Sequence, residues 1–395
     1  MASVTIRKGK DRRLLAGHPW VYAGEIERVT GDPEDGASVE IRDHKDRFFG
    51  RGLCNSNSQI SVRRFTTDKE ELDEAFFRRR IEAAAQHRFQ VSGFRCQDNA
   101  WVGRVISSEG DRLPGLILDK YGDHLVLQAL TLGIDRRKPW ILKIARDLFQ
   151  PKATIERSDV ATRKLEGLTE SKGVLFGEST GQAVISLGSV QFEVNLLEDQ
   201  KTGFFLDQAA NYGIVARHCP RKRVLDCFSY HGGFALSAAQ AGAASVEVVE
   251  ISEPAVARAR RNAELNGLLG KIEFIGANAF DLLKQYDSEK RQFDVIILDP
   301  PSFTRTKVNV DDALRGYKEI NLRALKMLPP GGLLATFSCS HHIGTDLFNA
   351  VVLDAAADAR KTLRLVESLT QSRDHPVLPA VPETEYLKGF LLQVM

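Results

Sequence analysis

The chain has 395 residues, 43% of them hydrophobic and 27% charged, with a formal net charge of +2 at pH 7. Such a length asks for two or three domains, and the composition is that of a soluble globular protein. The balanced charge argues against a protein that grips nucleic acid by bulk electrostatics, so a polynucleotide partner would have to be met by local patches. No run approaches the roughly 18 apolar residues of a membrane helix, and the first residues lack the pattern of a secretory signal, so a cytoplasmic enzyme with no membrane partner is expected. Cys54, Cys96, Cys219, Cys227 and Cys339 are scattered without a Cys-x-x-Cys pair, which speaks for a reducing compartment and against a disulfide framework or zinc ribbon.

Up to about Phe65, short β-rich runs (Ser38 to Ile41, Arg47 to Phe49, Ile60 to Phe65) are punctuated by Gly, Asp, Pro and Asn, and predict a small β-barrel. Its basic run, Arg7, Lys8, Lys10, Arg12 and Arg13, is a candidate patch for RNA or an ordinary solvated face. Glu70 to Phe89 carries apolar residues at helical spacing and predicts a linking helix. From Trp101 to about Val194 strands predominate around one helix, Lys138 to Phe149, as in a separate α+β domain. The domains expected are therefore residues 1–70, 71–195 and 196–395.

From Arg223 apolar strands alternate with helices: strands Val224 to Phe228, Ser245 to Ile251, Ile272 to Ile275, Val295 to Leu298 and Leu333 to Ser338, with helices between and after them, the last Asp346 to Ala359. That rhythm predicts a parallel sheet covered on both faces, whose ligand lies at the carboxyl ends of the strands. The first strand ends in Asp226-Cys227-Phe228-Ser229-Tyr230-His231-Gly232-Gly233, where two glycines let the backbone approach a ligand. Glu250 ends the second strand, placed to accept from ribose hydroxyls, and Asn278 follows the third. A dinucleotide fingerprint would need Gly-x-Gly-x-x-Gly, which is missing, so S-adenosylmethionine is favoured.

Asp299-Pro300-Pro301-Ser302-Phe303 ends the fourth strand and resembles the Asp/Asn-Pro-Pro-aromatic motif of class I methyltransferases acting on amino nitrogens. Cys339, in Phe337-Ser338-Cys339-Ser340-His341, closes the next strand and would lie beside Asp299. Methylating carbon 5 of a pyrimidine needs a nucleophile at carbon 6, a task that suits a thiolate. Cys227 competes for this role but sits within the first strand, where packing suits it better, and His341 and His342 lack partners that would complete a metal site.

Taken together, these segments resemble the bacterial large-subunit ribosomal RNA cytosine-5 methyltransferases with an N-terminal PUA domain. The resemblance runs through His18-Pro19-Trp20-Val21, Leu113 to Ile117 with Asp119-Lys120-Tyr121-Gly122, Glu156-Arg157-Ser158-Asp159, Gln200 to Gln208, Cys227 to Tyr230, Asp299 to Phe303, Phe337 to Ser340, Asp374-His375-Pro376 and Tyr386 to Phe390. It implies a PUA domain, a mixed central domain and a Rossmann-like methyltransferase domain. By the same resemblance Lys201, Thr202, Phe204, Asp207, Asp226, Phe228, Ser229, Tyr230, Gly232, Gly233, Glu250, Ile251, Asn278, Ala279 and Asp299 hold the cofactor. Cys339 is then the nucleophile, Asp299 holds the base, and Arg7, Lys8, Arg12, Arg13 and Trp20 meet ribosomal RNA or an assembly intermediate; a homodimer is allowed. His231 stands where the family usually has Thr, and Asn278 where it usually has Asp. No second cysteine lies near Asp299, so Cys339 would leave without help from another thiol. The competing readings are an amino-nitrogen methyltransferase and an RNA-binding assembly factor without activity.

Overall fold

The computed structural model describes residues 2–304 and 309–395, which divide into two compact units. The first comprises Met1–Ile185, Val194–Leu206 and Arg373–Thr384; the second comprises Ser186–Glu193, Asp207–Ser372 and Glu385–Met395.

In the first unit, β1 (Ser3–Ile6), β2 (Trp20–Val21), β3 (Ile26–Thr30), β4 (Ser38–Arg42), β5 (Phe48–Cys54) and β6 (Val62–Thr66) form one sheet in the order β2-β6-β5-β4-β1-β3, with the one-turn helix α1 (Arg12–Leu15) after β1. Period-two alternation turns Val39 and Ile41 inward, where they join Val4, Ile6, Leu14, Val21 and Val62 in a small core. The helix α2 follows at Glu74–Ser92, not at Glu70 to Phe89 as its apolar spacing suggests. Asp73 sets its start by accepting from the Phe76 N–H at 2.8 Å, and Gly93, in the left-handed region at φ 70°, ends it.

A second sheet orders β11 (Ser171–Gly177), β10 (Ala153–Ser158), β9 (His124–Ala129), β8 (Leu116–Tyr121) and β7 (Val102–Ser107). The pair β9 and β10 is parallel, joined through α3 (Leu132–Asp135) and α4 (Lys138–Phe149), while the other pairs are antiparallel. Phe76, Phe77 and Ile81 of α2 and Ile141, Ile144 and Phe149 of α4 share its core with Leu116, Leu118, Leu125 and Leu127.

This unit also buries charge. Arg88 is fully buried, donates through Nε to the Arg104 carbonyl at 2.9 Å and through Nη2 to the Asp374 carbonyl at 2.8 Å, and pairs with the Asp111 carboxylate. The Asp374 carboxylate accepts from the Arg104 N–H at 2.7 Å, which stitches the 373–384 segment to β7.

After the hairpin β12 (Gln182–Leu187) and β13 (Val190–Asn195), the second unit is built on seven strands. These are β14 (Arg223–Cys227), β15 (Ser245–Glu250), β16 (Ile272–Gly276), β17 (Val295–Leu298), β18 (Leu333–Ser338), β19 (Leu363–Thr370) and β20 (Lys388–Val394), in the order β16-β15-β14-β17-β18-β20-β19. The first five run parallel; β20 is antiparallel to both of its neighbours. Its helices are α5 (Ala209–Ala216), α6 (Gly233–Gln240), α7 (Glu253–Leu265), α8 (Ala279–Ser288), α9 (Val310–Met327) and α10 (Thr345–Asp358). Strand order reverses about β14, so the Rossmann-like arrangement read from the sequence stands, extended by β19 and β20. No helix of the described residues is long and apolar enough to cross a membrane.

Removing one partner of a buried ion pair leaves the other charge uncompensated, at a cost of about 3–5 kcal/mol. Arg88→Ala is expected to lose stability on that scale, read as a lower urea midpoint, with Asp111→Asn losing less because its side chain still accepts from the guanidinium.

Candidate active site at the carboxyl edge of the parallel sheet

Parallel pairing lines up one row across the sheet: Ile275 opposite Val249, Val249 opposite Cys227, Cys227 opposite Leu298 and Leu298 opposite Thr336. The residues just beyond that row therefore leave the sheet along one edge. They include Gly276, Glu250, Phe228 and Asp299, with Cys339 beyond the end of β18.

The loop after β14 turns through three left-handed residues, Phe228 (φ 64°), Tyr230 (φ 50°) and Gly232 (φ 86°). Two of these are not glycine, and each such residue costs on the order of 1 kcal/mol unless its surroundings hold it. Here the Phe228 and Ser229 N–H groups both donate to the Val249 carbonyl, at 2.9 and 3.3 Å. A Cβ on Gly233 would stand 2.5 Å from the Tyr212 ring, so the helix α6 can approach that ring only with glycine at this position.

Asp226 is fully buried at the base of this loop. Its Oδ2 accepts from the Ser229 hydroxyl at 2.5 Å and from the Ala235 N–H at 3.0 Å, while Oδ1 has no hydrogen-bond partner. Burial pushes its carboxyl from 3.8 up to about 7, against those two hydrogen bonds and with a small contribution from Glu250. Glu250 accepts from the Tyr230 N–H at 3.0 Å through one oxygen and from the Ser252 N–H at 2.9 Å through the other. Beside it Ile251 is 68% exposed, an apolar surface open at the site's edge.

Asn278 caps α8, its Oδ1 accepting from the Phe280 N–H at 2.9 Å, and the neighbouring Ala279 is buried. His231 stacks on Tyr230 at 3.6 Å between ring centroids. Burial, aided by Arg258 and Arg261, lowers its imidazole to about 3, so it stays neutral through the ordinary pH range.

At the other side of the row, the Cys339 thiol faces the Pro300 carbonyl, Sγ to O 3.9 Å. Its flanking residues Ser338 and Ser340 are fully buried, whereas Cys339 is partly exposed. Tyr317 from α9 fixes them: Ser338 donates to its phenol oxygen at 3.0 Å, and its hydroxyl lies 3.0 Å from that of Ser340. Ser302 joins the cluster at 3.0 Å from Ser340, tying the Asp299-Pro300-Pro301 loop to the end of β18. Cys227, by contrast, is fully buried and its thiol is pushed far up by desolvation, which suits packing and not nucleophilic attack.

Tyr212 was not singled out by any motif, yet the carboxylates of Asp299, Asp207 and Asp226 all act on it, adding to the burial that raises its phenol. Asp207 also accepts from the Tyr386 hydroxyl at 2.9 Å.

Lys201, Thr202 and Phe204 belong to the first unit. Lys201 is exposed, with its ammonium 4.3 Å from the Phe205 ring. The Thr202 hydroxyl is buried and donates to Asp119 at 2.6 Å; the Tyr121 hydroxyl is 2.9 Å from it and accepts from the Phe204 N–H at 3.2 Å. Arg104 completes the cluster with two hydrogen bonds to Asp119, at 2.8 and 2.9 Å. Thus Asp119 and Tyr121, from a segment with no role read from sequence, anchor the Lys201 to Phe204 loop.

Of the basic run, Lys8 and Arg12 are exposed, and Arg7 is exposed with Nε donating to the Ile26 carbonyl at 3.0 Å. Arg13 is engaged within the domain, 3.3 Å from the Trp20 carbonyl and 4.7 Å from the Tyr22 ring. Trp20 is half-buried and donates its indole N–H to Glu109 at 2.9 Å.

Comparison with known proteins matches residues 4–67 to the PUA-like domain and residues 169–393 to the S-adenosylmethionine-dependent methyltransferases. Among curated proteins, the ribosomal RNA large subunit methyltransferase I of Aeromonas salmonicida is 43% identical over 390 residues, covering 98% of each chain. The protein of the same name from Klebsiella pneumoniae is 40% identical, covering 99% of this chain and 98% of its own. The crystal structure of SMU.776 complexed with SAH shares the fold, with a TM-score of 0.84 at 20% identity over 100% of both chains.

The Asp226 carboxyl has a folded-state value above its unfolded one. Its contribution to stability is therefore present below 3.8 and is lost as pH rises through about 7, a difference of roughly 4 kcal/mol. Asp226→Asn, which cannot ionise, is expected to flatten the fall in stability between about pH 4 and pH 7 in urea titrations of the cofactor-free protein.

Proposed function

We propose that this chain, which belongs to the family of the S-adenosylmethionine-dependent ribosomal RNA large subunit methyltransferases I, methylates carbon 5 of a cytosine in large-subunit ribosomal RNA through Cys339. The observation that carries this reading is the placement of Cys339, partly exposed at the end of β18, against the Pro300 carbonyl of the Asp299-Pro300-Pro301 loop.

S-adenosylmethionine, the cofactor of the family, supplies a methyl group on a positively charged sulfur. The residues present fit it: Asp226 keeps a buried oxygen without a hydrogen-bond partner, and the Asp299 and Asp207 carboxylates act on the buried Tyr212. In this reading Asp226 and the Phe228 to Gly233 loop hold the methionine part, Glu250 the ribose, and Ile251, Asn278 and Ala279 the adenine. Asn278 would act there while capping α8, and the neutral His231 would add no charge beside the cofactor.

The cytosine is turned out of its stack to reach the edge of the sheet. Asp299 takes its amino or N3 edge, and the Cys339 thiolate adds to carbon 6, so that the electrons of the ring double bond make carbon 5 nucleophilic. After carbon 5 has gained the methyl group it gives up its proton to a base, and the bond from Cys339 to carbon 6 breaks, restoring the double bond. Lys8 and Arg12 of the PUA-like domain meet RNA phosphates, with Arg7 beside them and Arg13 and Trp20 shaping the surface from within.

Cys339→Ala is expected to lose methyl transfer by several orders of magnitude while binding SAH as the native enzyme does. Tritium released from carbon-5-labelled cytosine in ribosomal RNA reads the reaction directly; methylated RNA with no ring tritium released would instead assign the Asp299-Pro300-Pro301 loop to nitrogen chemistry. Reversing the charges of Lys8 and Arg12 to Glu is expected to weaken RNA binding and flatten its salt dependence with SAH affinity unchanged.

A further inference from the structure

Lys388 opens β20 and is 4% exposed, a burial that a lysine tolerates only with partners. Its position is fixed by register: Ser338 pairs with Lys388 and Phe337 with Gly389 across the antiparallel pair β18 and β20. A Cβ at residue 389 would come within 2.4 Å of the Phe337 ring, so glycine there lets the two strands keep this register with the ring in place. Lys388 is thus held opposite the residue that precedes Cys339.

Its ammonium donates to the Ser340 carbonyl at 2.8 Å and to the Tyr386 carbonyl at 2.9 Å. Both acceptors are neutral, so these bonds hold the charge without cancelling it. One of them belongs to the residue that follows Cys339. The carboxylate that acts on it, Glu385, is exposed and screened by water.

We infer that Lys388 is a positioning residue for Cys339, its buried charge favouring the thiolate and its hydrogen bond to the Ser340 carbonyl fixing the strand end that carries the sulfur. This rests on the reading of Cys339 as nucleophile. Burial weakens the hold of Lys388 on its proton, and negative charge on Cys339 strengthens it. By reciprocity the ammonium stabilises the thiolate.

Among the described residues named above beside the sulfur, none other supplies a buried positive charge. Tyr317, from α9, is a buried phenol whose ionisation Cys339 opposes; Asp299, next to Pro300, is acidic; His341 and His342, which follow in the chain, are exposed. Nor does Lys388 suit the role of the base for the carbon 5 proton, since it is buried and two of its N–H bonds are directed at backbone carbonyls.

The test is the pH dependence of Cys339 alkylation by iodoacetamide, followed on the peptide that contains it, in the full-length protein. The native midpoint is expected below the ordinary thiol value of about 8.5. Lys388→Gln, which keeps a donor for a carbonyl but no charge, should raise the midpoint by about one unit and slow alkylation at pH 7 by up to about tenfold. Lys388→Arg should restore most of the effect. A native midpoint at or above that of an ordinary thiol, or an unchanged midpoint in a Lys388→Gln protein that still binds SAH, would overturn the inference. The native measurement keeps the test decisive even where the Gln variant does not fold. Alkylation does not depend on turnover, so a Cys339→Ala protein that remained active would sink the nucleophile reading without altering this result.

Discussion

The rest of the second unit depends on the shared register of its five parallel strands. A one-residue slip of β17 against β14 would turn every side chain of that strand to the opposite face and carry Asp299 away from the edge. All four residues of β17 and all six of β18 are buried, so a slip would have to repack close-packed side chains on both faces at once. Specificity of folding and placement of the reactive groups are one property here.

Electrostatically, the edge of the sheet is divided. On the side of β14 and β15, the Glu250 carboxylate stands at a strained loop, while burial presses Asp226 at its base toward the neutral form. On the side of β18 and β20, the buried Lys388 ammonium donates to the carbonyls of Ser340, the residue after Cys339, and of Tyr386. An acidic wall suits a sulfonium and a buried cation suits a thiolate; in the reaction proposed above, different strands of one sheet would serve these two demands.

Much of this was legible from the residues. The alternation of apolar strands with helices gave the parallel sheet, because a strand buried on both faces must read as a nearly continuous apolar run. Strand ends then placed Asp226, Glu250, Asp299 and Cys339 together without any contact being known. What was missed has physical reasons. The strand β7 carries Gly103 and Arg104 early in its run, and β11 and β19 are largely exposed, so none of the three shows a clean apolar pattern. Tyr212 and Lys388 come to the site's neighbourhood from α5 and from the last strand, and no local spacing announces such a contact. Asn278 shows a further limit, since its oxygen serves as a helix cap whatever else its side chain meets.

The route of the chain has one more consequence. The backbone crosses between the two units five times, and the 373–384 segment returns to the first unit after most of the second has been made. Arg88, Arg104 and His18 find partners there in the Asp374 carbonyl, the Asp374 carboxylate and Glu383. The first unit's buried arginine thus takes one of its hydrogen-bond partners from a segment that follows most of the second unit in the chain. The contacts of the folded first unit are therefore complete only when the chain beyond the parallel sheet is in place, unlike those of two domains in simple tandem.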